Sequence, residues 1–267
     1  MPIEEAFASR SVVIVAAHPD DETIGAGGIL PRLRHPVVVT VTDGAPRNSG
    51  DSERAGCASR EDYARLRQEE LLGALGLAGV PADQTRALNI VDQEASLEMA
   101  YLTLRLVDVL RELRPGAVLT HAYEGGHPDH DATAFAVHAA CARVPSPPDV
   151  FEFTSYHAQV GHAPSHPKME VGKFLPDSDH GEPILLPPDA RDLKSRMFSC
   201  YASQTHMLRN FPLDVERYRE APAYDFTSAP HTGKLYYENF DWGVTGERWR
   251  RLAEEALRTL GAGTATL

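Results

Sequence analysis

Cysteine and tryptophan are scarce in this 267-residue chain, with three of the first and two of the second. Cys57, Cys141 and Cys200 are odd in number and far apart, with no C-x-x-C pair, which excludes a disulfide framework and a thiolate zinc site and points to a reducing compartment. Positive charge is also short. Lys+Arg number 26 against 38 Asp+Glu, a formal charge of -12, with no basic cluster, so nucleic acid and other polyanions are excluded as partners. No apolar run approaches the roughly 18 residues of a membrane span. The N-terminal MPIEEAFASR lacks the basic-then-apolar layout of a secretory leader, so the expectation is a cytoplasmic chain. What the chain does hold is ordinary globular composition, 42% hydrophobic and 24% charged, and an excess of histidine, twelve in all.

Val12 to Ala17 is a continuous β-branched and alanine run, the mark of a strand buried on both faces of a parallel sheet, and it stops at His18-Pro19. Val37 to Val41 repeats the pattern and stops at Asp43-Gly44; Ala117 to Leu119 does so near His121. Between them lie helical periods, Tyr63, Leu66, Leu72 and Leu75 in one, Leu97, Tyr101, Leu104, Val107 and Leu110 in the other. This alternation predicts an α/β fold with a doubly wound, mostly parallel sheet and helices on both faces, whose ligands sit at the carboxyl ends of the strands. One domain is expected across 1–267. Within it, residues 43–60 read as a long functional loop, and residues 145–188, with nine prolines and four histidines (His157, His162, His166, His180), as an irregular cap. Asp189 to Tyr201 reads as a helix, Leu235 to Tyr237 as a late strand, and Thr245 to Leu260 as a closing helix.

Two segments carry the chemistry. The first strand delivers His18-Pro19-Asp20-Asp21-Glu22, and the third leads to Gly126-His127-Pro128-Asp129-His130. In each, a pair three apart, His18 with Asp21 and His127 with His130, points to one side when the turn after proline enters a helix. Two such pairs facing across a sheet end make a metal site, and imidazole nitrogen with carboxylate oxygen suits Zn²⁺. A single His-Pro-Asp is most often a turn or cap; two of them, each after a buried strand, reverse that balance. A dinucleotide site at Gly25-Ala26-Gly27-Gly28 is the weaker reading, because these glycines come about two helical turns late and the fingerprint lacks its third glycine at Leu30. Close packing of helix on strand accounts for them better.

AHPDDE after the first strand and HPDH after a later one resemble the PIG-L or LmbE-like family of zinc-dependent N-acetylglucosaminyl deacetylases. Thr42-Asp43-Gly44, Arg67-Gln68-Glu69-Glu70 and the stretch from Lys194 to Ser203-Gln204 resemble further family segments, so that the likeness spans roughly residues 10 to 205. It implies one zinc held by His18, Asp21 and His130, Asp20 as the general base, and His127 as a second polar group that stabilises the oxyanion or protonates the leaving amine. Hydrolysis of an amide requires such parts, since its carbonyl is a poor electrophile and its amine a poor leaving group. Asp129 is the candidate for orienting His127 and raising its basicity. Arg67, Asp43, Arg47 and Gln204 are the candidate substrate contacts. Two glycines, Gly125 and Gly126, stand where relatives carry a bulkier residue. The expected substrate is a small glycoside or amino sugar, with a non-sugar N-acyl amide as the alternative; the oligomeric state is left open.

Overall fold

The computed structural model describes residues 7, 10–159, 168–176, 178 and 181–262; His162, His166 and His180 lie outside them. Strand β1 (Val12–Ala16) is followed by the short helix α1 (Asp21–Ala26), β2 (Val37–Pro46), α2 (Gly50–Arg54), α3 (Arg60–Leu77), β3 (Thr85–Asp92), α4 (Met99–Leu113), β4 (Ala117–His121) and α5 (Pro128–Cys141). Then come β5 (Asp149–Phe153), β6 (Tyr156–Ala158), β7 (Met169–Val171), β8 (Glu182–Leu185), α6 (Pro188–Cys200), α7 (Thr205–Leu208), β9 (Val215–Glu220) and α8 (Gly246–Ala262). The main sheet has seven strands in the order β3-β2-β1-β4-β5-β9-β8, with a separate β6-β7 pair. The first five run parallel; β9 is added antiparallel to β5, and β8 antiparallel to β9, at one side.

β1 is buried along its whole length because each face packs under helices. Val12 and Ile14 point to a core shared with Leu71, Ala74, Met197 and Tyr201 from α3 and the α6 end; Val13 and Val15 point to one shared with Leu102, Leu106, Phe135 and Trp249 from α4, α5 and α8. Burying each of these β1 side chains contributes roughly 1.5–3 kcal/mol. A charge at Ile14 would break both the layer and the pairing of Ile14 with Leu119. Because β1 pairs with β2 on one side and β4 on the other, the chain reverses its direction of travel across the sheet between β1 and β4. That reversal opens a crevice at the carboxyl ends of these two strands.

Several expectations shift. β2 runs past Asp43-Gly44 to Pro46, pairing irregularly with β3, and residues 50–54 form a helix, so the 43–60 stretch is only partly loop. The period of α4 is as expected but its phase is not: Met99, Leu102, Leu106 and Leu110 are buried, whereas Leu97, Tyr101 and Leu104 are exposed. The proline-rich stretch supplies β5 and β8 to the main sheet; of its described prolines, Pro183 lies in β8 and Pro188 opens α6, and the others fall in connections. Leu235 to Tyr237 is no strand; residues Tyr236–Asn239 form a 3-10 turn. Gly25 does pack close, since a Cβ there would lie 2.3 Å from the Phe153 ring. Among the described residues no helix is long and apolar enough to cross a membrane.

Candidate active site

His127 is the N-cap of α5, its Nδ1 accepting the backbone N–H of Asp129 at 3.1 Å, and Pro128 takes the first helical position, where a missing N–H costs nothing. Trp249 Nε1 of α8 donates to the Pro128 carbonyl at 3.1 Å and so ties this turn to the helical layer. At the end of β1, Asp20 caps α1 with φ at 130°, a conformation that a non-glycine residue adopts at a cost of roughly 1–3 kcal/mol. Strain of this size persists where the surroundings hold it. Here Arg67 does so: buried on α3, it donates to the carbonyls of Pro19 and Gly44 and, through Nη2, to Asp20 Oδ2 at 3.1 Å.

The two segments meet across the crevice. His18 Nδ1 lies 3.0 Å from Asp21 Oδ2, and His130 Nε2 lies 3.3 Å from Asp21 Oδ1. Three overlapping donor sets have all their ligand atoms within 4.8 Å of one another: His18, His127 and His130; His18, Asp92, His127 and Asp129; Asp21, His121 and His130. Imidazoles and carboxylates so placed are the donor chemistry of a divalent metal, and the residues present fit one. Burial acts upward on the Asp21 carboxyl, but the His130 and His121 imidazoles outweigh it and hold it well below the usual carboxylate range. Burial pushes His130 down to about 3, against the pull of Asp21. Burial lifts Asp20 well above the ordinary carboxyl value against the opposing charge of Arg67.

Asp129 departs from expectation. Its carboxylate accepts the N–H groups of Gln93 at 2.6 Å and Ala95 at 3.0 Å and lies 3.3 Å from His18 Nε2, while His127 Nδ1 is 4.0 Å away. It anchors the β3–α4 loop against the site and does not raise the basicity of His127, which burial and the neighbouring His18 and His130 push well below its ordinary value.

A cavity of about 410 Å³ opens over these groups, lined by His18, Asp20, Asp21, Arg67, His127 and His130, with Gln204, Asn48 and Arg54 also on its wall. Gln204 Nε2 donates to Tyr63 at 2.7 Å. Two candidates are placed elsewhere. Asp43 accepts from Arg60 at 2.6 Å and from the Ala45 N–H at 3.0 Å, and Arg47 makes a bidentate pair with Glu94; neither is among the described lining residues. The further family-like segments are internal ties. Glu70 accepts both the N–H and the hydroxyl of Ser203, and buried Lys194 pairs with Glu216 at 2.7 Å.

Sequence reasoning passed over Asp92, whose Oδ1 lies 3.1 Å from His18 Nε2 and which lines the cavity. Its signal was an aspartate closing a strand at the same sheet edge as His18. His121 stacks on His130, ring centroids 4.1 Å apart, and its Nε2 accepts the Ala17 N–H at 3.0 Å, so it buttresses a ligand candidate from below. Tyr156, Phe211, Tyr236, Phe240 and Trp242 line the cavity and were also missed.

The family model described as PIG-L: GlcNAc-PI de-N-acetylase matches residues 13–141. A Bacillus anthracis protein named "Probable N-acetyl-alpha-D-glucosaminyl L-malate deacetylase 2" is 33% identical over 180 residues, 62% of this chain and 76% of the relative. A Bacillus cereus protein of the same name is 32% identical over 143 residues, and there the match spans 51% of this chain and 63% of the relative's length. Among solved structures, the N,N'-diacetylchitobiose deacetylase from Pyrococcus horikoshii superposes with a TM-score of 0.58 at 19% identity, over 86% of this chain and 93% of that one, a likeness of fold. With both His-Pro-Asp segments flanking one crevice and a relative matched over three quarters of its length, the chain belongs to the PIG-L family.

Proposed function

We propose that this chain is a zinc-dependent N-deacetylase that releases acetate from an N-acetylglucosamine-containing small molecule. The observation that carries the reading is the juxtaposition of Asp20, Asp21 and His18 with His127 and His130 across the β1–β4 crevice. The names of the relatives, deacetylases of glucosaminyl conjugates, support the substrate class. His18, Asp21 and His130 would hold the metal. When bound, Zn²⁺ supplies a Lewis acid for the amide carbonyl and lowers the pKa of water.

Asp20, lifted in pKa by burial and aimed by Arg67, takes the proton from the attacking water. His127 stands opposite. Because its Nδ1 accepts the Asp129 N–H, Nε2 is the nitrogen that carries a proton, and that N–H supports the oxyanion; the proton the departing amine requires is the one Asp20 took from water. Arg67 and Asp92, both on the cavity wall, would bind sugar hydroxyls.

The test is acetate release from N-acetylglucosamine, its inositol and malate conjugates, N,N'-diacetylchitobiose and an N-acetyl amino acid, with Asp20→Asn beside the wild type. Turnover of at least one sugar, lost in Asp20→Asn, is expected. Turnover of the N-acetyl amino acid alone would assign the site to non-sugar amides, and an active Asp20→Asn would remove Asp20 as the base.

A further inference from the structure

Six rings close a circuit over one side of the cavity. His127 and His130 are 5.2 Å apart; His130 contacts Tyr156 at 5.3 Å, Tyr156 contacts Tyr236 at 5.6 Å, Tyr236 contacts Phe240 at 5.4 Å, Phe240 stacks on Trp242 at 4.5 Å, and Trp242 returns to His127 at 4.7 Å. The histidines belong to α5, Tyr156 to β6, and the other three to the segment before α8. None of the four non-histidine rings falls within the family-matched residues 13–141.

The circuit closes because two glycines let distant backbone approach. A Cβ on Gly126 would lie 1.9 Å from the Tyr156 carbonyl oxygen, and one on Gly125, whose φ is +71°, would lie 2.6 Å from Leu235 Cδ2. The Tyr236 N–H then donates to the Gly125 carbonyl at 2.9 Å. A side chain at either glycine would push Tyr156 or Tyr236 off the catalytic turn.

The walls of the cavity differ in chemistry. Asp20, Arg67, Asp92 and Gln93 give it a polar side, suited to hydroxyl groups. The aromatic side begins at His127, which the proposed function places beside the leaving amine, and ends at Phe240, 40% exposed at the mouth. A group lying along it is joined to the nitrogen side of the amide, so it is the sugar's own substituent and not the acyl group. Aromatic faces favour aryl and alkyl groups there, which gain contact area and give up no hydrogen bonds on leaving water.

We infer that the Tyr156–Tyr236–Phe240–Trp242 wall is an aglycone subsite that selects N-acetylglucosaminides carrying an aryl or alkyl group. The inference rests on the deacetylase reading and is tested apart from it. Acetate release is compared for phenyl and methyl 2-acetamido-2-deoxy-glucopyranosides, both anomers, and binding of the same glycosides to Asp20→Asn is followed by tryptophan fluorescence. The expected result is a kcat/KM about ten-fold or more higher for the phenyl glycoside, held mainly in KM, with a matching preference in binding. Phe240→Ala brings both ratios close to one, and Trp242→Ala, which removes the reporting indole, brings the kcat/KM ratio close to one, while Leu104→Ala, an exposed change on α4, leaves both as they were.

Acetate from both glycosides without a phenyl preference overturns the subsite and leaves deacetylation standing. A phenyl preference in binding without acetate from either glycoside supports the subsite and counts against the deacetylase reading. Neither acetate nor preference overturns both.

Discussion

Arg67 Nη2 donates to Asp20 Oδ2 at 3.1 Å and also to the carbonyl of Pro19, so one guanidinium holds both the carboxylate and the peptide that presents it. Lysine cannot reproduce that fork. Arg67→Lys is expected to fold and to lose about 10²-fold or more in kcat with a smaller change in KM, measured on the best substrate of the acetate assay. Arg67→Ala goes further. It leaves the buried Asp20 without its cation, at about 3–5 kcal/mol, and should lower Tm as well as activity.

Four carboxylates, those of Asp20, Asp21, Asp92 and Asp129, crowd around His18, and a divalent cation relieves their mutual repulsion. Added zinc should therefore raise the Tm of chelator-treated protein, since a ligand that binds only the native state stabilises it. His18→Ala should lose both the bound metal, by elemental analysis, and this rise. His127→Ala should keep the metal and lose turnover; a metal-free His127→Ala would move His127 into the ligand set.

Glu124 predicts a pH dependence of stability. Burial pushes its carboxyl up to about 8, with Glu152 and Asp131 adding to the shift and the Leu175 N–H and Arg219 opposing it. The folded value lies above the unfolded one, so the folded chain binds the extra proton; stability is full below the unfolded pKa and declines as pH rises through about 8. Glu124→Gln keeps an oxygen to accept the Leu175 N–H and has no proton to lose. Its Tm should exceed the wild-type value by roughly 3 °C or more at pH 9, with the gap closing by pH 5. Equal slopes for the two proteins in thermal melts across that range would refute the assignment.

Lys194 and Glu216 are fully buried at 2.7 Å, and Glu216 also accepts the Gly28 N–H and the Tyr218 hydroxyl, each at 2.7 Å. Lys194→Ala strands a buried carboxylate and should cost about 3–5 kcal/mol, or on the order of 10 °C in Tm. Lys194→Met with Glu216→Gln should recover most of that loss. Lys194 Nζ also donates at 2.8 Å to the carbonyl of Ile24, which lines the cavity, so kcat should fall modestly in Lys194→Ala even at temperatures below the melt.

The residues that were legible in the sequence share one property: their partners are close along the chain. His18 with Asp21 and His127 with His130 sit three apart behind unbroken apolar strands, so spacing and strand context alone predicted that they meet. β3 gave no such signal. It is an edge strand whose exposure alternates, and Thr85-Arg86-Ala87-Leu88 reads as ordinary surface. β5 and β9 were hidden for the opposite reason, as they bury Glu152, Glu216 and Arg219, whose charges are matched only by residues distant along the chain, Glu152 with Arg219 across strands and Glu216 with Lys194 of α6. Asp92, Tyr156 and Trp242 reach the cavity from segments with no local spacing to one another. The expected part of Asp129 failed on direction: at the second position of α5, its carboxylate faces the β3–α4 loop, and its hydrogen bond to His127 is made by the backbone N–H.

The contacts at Gly125 and Gly126 divide the enzyme along its sequence. The proposed metal donors and base come from the two turns after β1 and β4, whereas the aromatic wall is brought up against them by a carbonyl, an N–H and a leucine methyl from residues 156 and 235–236. Substitutions at 236–242 can therefore retune which molecules are accepted without rebuilding the reaction centre, provided both glycines stay. Selectivity in this chain is a separable module, and its interchangeable part is the short stretch ahead of the last helix.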